Sequence, residues 1–176
     1  MTEYVMTIKF HEDKEPYLLD ISSMLYDIEL THDFSVIIAN KELYSNYHFN
    51  RYFWYRKGRP ILKEHRIRAL RIIKESPLIL EVVIPSLGAI WILLQIFEKI
   101  SNWNLNKEKL RLEVDKLRRE EITTKREEIE IYSDQQWPEN IEIDPREIEK
   151  KLINRLVEIN IKPIQIEIRE HKDNKG

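Results

Sequence analysis

The chain contains no cysteine. Disulfides, thiolate nucleophiles and cysteine-based zinc sites are therefore excluded together, which suits a reducing compartment. Glycine is almost as scarce: Gly58, Gly88 and Gly176 are the full set. Phosphate-cradling loops need clustered glycines so that backbone amides can approach the anion, so Walker and Rossmann fingerprints are both missing. The opening "MTEYVMTIKF" has no basic region leading into an apolar run, and no cleavable secretory signal is expected. Net charge is also slight, formally −2. Charged residues nevertheless make up 34% and hydrophobic ones 42%, which marks an ordered, charge-rich chain with room for local asymmetry.

Periodicity predicts an α+β fold in three parts. Residues 1–75 read as a small α+β domain. In it "EYVMTIKF" alternates as a strand with Met6, Ile8 and Phe10 on one side. Leu18, Leu19, Ile21, Met24, Leu25 and Ile28 then recur at helical spacing behind Pro16. "DFSVIIA" reads as a second strand, and "RIRALRIIK" as a further one with Ile67, Leu70 and Ile72 between basic residues. Lys57-Gly58-Arg59-Pro60 is turn chemistry. At the other end, residues 123–170 read as a small αβ unit. "EEIEIY" alternates there, "DPRE" starts a helix capped by Asp144, and "KPIQIEIRE" forms a half-buried strand. Residues 171–176 are expected to be a disordered tail.

The middle part, residues 76–122, carries the longest apolar stretch, "SPLILEVVIPSLGAIWILLQIFEKI". Ser76 and Pro77 suit the first turn of a helix, and Glu81 would meet its positive dipole end. At ~1.5 Å per residue, a helix over 77–97 would reach about 31 Å, matching a hydrocarbon core of about 30 Å. The expected membrane helix presents Leu78, Val82, Ile84, Leu87, Trp91, Leu94 and Phe97. Pro85 and Gln95 argue the other way, for a helix buried in protein between copies of the chain. From residue 93 to 121 the apolar positions step by three and four. Leu93, Ile96, Ile100, Trp103, Leu110, Val114 and Leu117 form a coiled-coil seam interrupted by Lys107. Ile96, Ile100, Trp103, Leu110, Val114 and Leu117 are therefore the expected self-association residues.

Basic residues concentrate just before the apolar run, at Arg51, Arg56, Lys57, Arg59, Lys63, Arg66, Arg68, Arg71 and Lys74, with Glu64 the acidic exception. Such a block can hold anionic lipid and keep the N-terminal part on the cytoplasmic side. Arg51, Arg56, Lys57, Arg59, Arg66 and Arg68 are the candidate contacts. Tyr47, Phe49, Tyr52, Phe53, Trp54 and Tyr55 interleave with them, which also suits stacking on nucleic-acid bases. The plainer reading is that alternate aromatics fill a core and the cations solvate its rim. "HED" at 11–13 and "THD" at 31–33 lack metal-helix spacing, and no glycine elbow accompanies Ser22 or Ser23, so neither a cofactor nor a catalytic site is expected.

Residues 68–120, "RALRIIKESPLILEVVIPSLGAIWILLQIFEKISNWNLNKEKLRLEVDKLRRE", resemble a group of uncharacterised bacterial proteins. In that group a small α/β domain ends in a strand, Ser-Pro-Leu opens an apolar helix, and a Lys/Glu/Leu-rich coil follows. The resemblance implies a bacterial, helix-anchored architecture and carries no site residue. Together these features predict a non-enzymatic, self-associating adaptor or effector module linked to the membrane, with an unknown protein partner. A cytoplasmic soluble scaffold and a nucleic-acid binder using Arg51–Lys74 are the alternatives.

Overall fold

A computed structural model of the chain describes residues 2–12, 16–74, 77–100, 142–158 and 161–171. These residues form a mixed α+β fold of three helices and a four-stranded antiparallel sheet. Strand β1 spans Tyr4–Glu12, helix α1 Leu18–Ala39, β2 Arg68–Ile73, β3 Leu78–Ile84, α2 Leu87–Ile100, α3 Pro145–Glu158 and β4 Ile161–Glu170. Short 3₁₀ turns at Arg51–Trp54, Arg56–Gly58 and Lys63–His65 lie between α1 and β2.

The sheet order is β2-β3-β1-β4. Strands β1 and β2 thus run parallel with β3 between them, and β3 and β4 run parallel with β1 between them. These are two interleaved split β-α-β units. The two ends of the chain, expected in separate units, supply neighbouring strands of one sheet.

Alternation decides the faces. Tyr4, Met6, Ile8 and Phe10 of β1, Leu78, Leu80, Val82 and Ile84 of β3, and Ile166 and Ile168 of β4 join one buried core with the helices. Helix α2 contributes Leu87, Ile90, Leu93 and Phe97, and α3 contributes Ile148, Leu152 and Leu156. Asp144 caps α3 as its sequence suggests, accepting from the Arg146 amide at 2.8 Å. Lys99 of α2 pairs with Glu149 of α3.

Two sequence expectations are overturned here. No single helix covers residues 77–97. Residues 78–84 form the central strand β3, Pro85 ends it, and α2 begins at Leu87. "LILEVVI" is rich in β-branched residues, which favour the pleated strand, and both of its edges are paired. The helix cap is Ser86, whose hydroxyl accepts from the Ala89 amide at 3.3 Å, and not Ser76. Glu81 accordingly meets no helix dipole; it accepts a hydrogen bond from Thr7 across the sheet. The residues expected to face lipid, Leu78, Val82, Ile84, Leu87, Leu94 and Phe97, are buried in this chain's own core, and Trp91 is half-buried against it. Ile96 is buried there too, and Ile100 is half-buried against the same cluster. Trp103, Leu110, Val114 and Leu117 lie outside the described residues, as does "EEIEIY". Among the described residues no helix is long and apolar enough to cross a membrane.

The second correction is "DFSVIIA", which continues α1 instead of forming a strand. Leu30 to Ile37 are all buried, so this half of α1 is covered on every side. A helix buried all round has no amphipathic period to separate it from a buried strand. Its polar members bond inward: the Thr31 hydroxyl donates to the Asp27 carbonyl and the Ser35 hydroxyl to the Thr31 carbonyl, both at 2.7 Å.

Candidate interaction surface

The expected lipid or nucleic-acid contacts are not brought together as a free basic patch. The segment carrying them wraps α1, and two of its arginines are bound there. Arg59 is buried: its Nε donates to Asp33 Oδ2 at 2.5 Å and its Nη1 to the Phe53 carbonyl at 3.1 Å. Burial pulls the Arg59 guanidinium toward deprotonation, but Asp33 and Tyr26 outweigh that and raise its pKa. Arg56 reaches Glu29 at 2.9 Å. Arg68 pairs with Glu3, and Arg51 donates to the Tyr52 hydroxyl at 2.9 Å. Lys57 and Arg66 are exposed.

The aromatic residues among these cations are mostly core. Phe34, Tyr47, Phe49, Phe53 and Trp54 pack edge to face or tilted at centroid distances of 5.2–6.4 Å. Tyr55 stays exposed. Gly58 makes the turn for a steric reason: a Cβ there would lie 1.9 Å from the Tyr52 carbonyl oxygen.

A second clamp joins α1 to α3. Arg155 donates to Asp27 Oδ1 at 2.8 Å and its guanidinium lies 5.9 Å from the Trp54 ring centre. Burial raises the Asp27 carboxyl above its ordinary pKa, against the opposing pull of Arg155. Tyr44 sits 2.8 Å from His65 Nδ1, and burial pushes its phenol up to about 12, so it stays protonated. His32 is fully buried, with Nδ1 3.2 Å from Asp33 Oδ1 and Nε2 without a hydrogen-bond partner among the described residues. These groups tie elements together: the ion pairs of Arg56, Arg59 and Arg155 each have their acidic member on α1. Among the described residues no cluster of His, Asp and Glu is arranged to hold a metal ion.

The outward-facing chemistry lies on the sheet. The face turned away from the helices carries three cross-strand rows, read from the register. The first is Arg68, Val83, Val5 and Arg169, with both valines buried; the second Arg71, Glu81, Thr7 and Glu167; the third Ile73, Ile79, Lys9 and Gln165. Lys9 donates to Gln165 at 3.2 Å. Strand β2 closes one edge of this sheet and has no neighbour on its outer side among the described residues. The register shifts between Ala69 and Arg71, so Leu70 is a bulge residue. Leu70 and Ile72 are 48% and 46% exposed. A second exposed apolar group, Tyr17, Leu18 and Leu19, stands at the start of α1, where the helical pattern predicts core.

Leu70, Arg71 and Ile72 were legible as an alternating strand. What the pattern lacked was the strand's position at a sheet edge, which depends on pairings far along the chain.

Comparison with known proteins brings no match: no family model, curated protein or solved structure matches this chain.

Proposed function

We propose that this chain is a non-enzymatic adaptor that recruits a partner protein by accepting an extended segment along β2. The observation that carries this reading is the exposure of Leu70 and Ile72 on an edge strand. Strand addition draws affinity from main-chain hydrogen bonds and selectivity from alternate side chains. The charged groups of α1 support the reading from the other side, since Asp27, Glu29 and Asp33 are committed to Arg155, Arg56 and Arg59. Self-association through Trp103, Leu110, Val114 and Leu117 stays part of the proposal, and Leu110→Asp with Leu117→Asp is expected to lower the mass found by sedimentation.

Peptides selected from a random display library on the folded chain test the docking site. They are expected to protect β2 amides from hydrogen exchange and to lose binding to a Leu70→Lys, Ile72→Lys variant, because charges on an edge strand block pairing. Selected peptides that bind the variant equally well defeat the proposal.

A further inference from the structure

Resting on the strand-docking reading above, we infer that the segment received by β2 is acidic, alternating Glu or Asp with apolar side chains. Arg68 and Arg71 share the face of β2 turned away from the helices, and both are exposed. Arg68 is answered by Glu3. Arg71 lies opposite Glu81, whose carboxylate is bonded to Thr7, and Arg71 itself forms no ion pair among the described residues. Arg66, just before the strand, is likewise exposed and unpaired among them.

A strand added beside β2 would sit about 4.8 Å away and bring its same-face side chains within about 5.5 Å of their neighbours. Carboxylates at those positions would meet Arg71 and the outer side of Arg68. On the opposite face the neighbours are Ala69 and Ile72, which pair with the core positions Val82 and Leu80. Apolar side chains suit that side. One face therefore asks for negative charge and the other for apolar bulk, which is the period-two pattern of a single strand.

The same charges disfavour a second copy of this chain as the occupant. Antiparallel pairing of β2 with β2 would crowd the Arg68 and Arg71 side chains of both copies onto one face, and like charges directly opposite are destabilising. The bulge and the arginines thus guard the edge against self-pairing while leaving it open to an acidic strand.

Three short capped peptides test this, alternating valine with glutamate, with threonine or with lysine. Binding is followed by titration calorimetry and by β2 amide chemical shifts. The glutamate peptide is expected to bind about three- to tenfold more tightly than the threonine peptide at low salt, with the lysine peptide weakest. High salt should level the three. Arg66→Glu with Arg71→Glu should reverse the order, while circular dichroism confirms the fold. Equal binding of all three at β2 overturns the acidic class and leaves strand docking standing. Failure of every peptide to shift β2 amides overturns strand docking itself. Tighter peptide binding after Glu127, Glu128 and Glu130 are changed to lysine would assign the edge to the chain's own acidic stretch and overturn the partner.

Discussion

Asp33 holds the wrapped segment to α1 through a single buried contact with Arg59. Removing one partner of such a pair strands the other charge in a dry site, at a cost of about 3–5 kcal/mol. Arg59→Met is therefore expected to lower unfolding free energy by that amount in urea titration. Arg59→Met combined with Asp33→Asn should cost less than Arg59→Met alone, because no unpaired carboxylate remains. Asp27 gives a pH signature of the opposite kind. Its folded pKa is raised by burial, so the native state holds the proton more tightly than the unfolded chain. That contribution is fully present below the unfolded value of about 3.9 and is lost as pH rises through the folded value. Stability should fall across that interval, and Asp27→Asn should flatten the slope in denaturation curves recorded at a series of pH values.

Among the elements, β3 and α2 show how one apolar run becomes two. Pro85 has no amide to give to a ladder or a helix interior, and Ser86 beside it supplies the cap. Ser86→Ala should cost about 1 kcal/mol of stability, measured by chemical denaturation, through loss of that cap. Helix α1 is the reverse case, one element carrying two patterns. Its start is exposed at Leu18 and Leu19, whereas Leu30–Ile37 is buried throughout. The capping signals at Asp144-Pro145 were readable because they act within one turn. The strand character of β3 was obscured because a strand paired on both sides and a buried helix share the same apolar composition.

For the whole molecule the decisive contact is β4 against β1, joining residues near opposite ends of the sequence. Strand β1 is central only because β4 covers its outer edge. Deleting residues 142–176 should expose that edge, remove Ile148, Leu152, Ile166 and Ile168 from the core, and abolish cooperative unfolding of the remainder. Circular dichroism against denaturant checks this, and a sharp transition in the truncated chain would count against a single shared core. The paired sheet and its β2 edge exist only in this assembled state, so partner binding should disappear with the same truncation.

By itself the sequence determined the α+β class, the first strand, the capped helix α3, the last strand, and the absence of thiol and glycine-loop chemistry. Each rests on signals within a few residues: alternation, capping or composition. The tertiary structure decided that the apolar middle is a strand and a helix inside this chain, that Arg59 is an internal tie and Arg56 a surface one, and that β2 is an edge. Those outcomes depend on which distant strands lie alongside one another, and a local apolar or basic run carries no record of its neighbours.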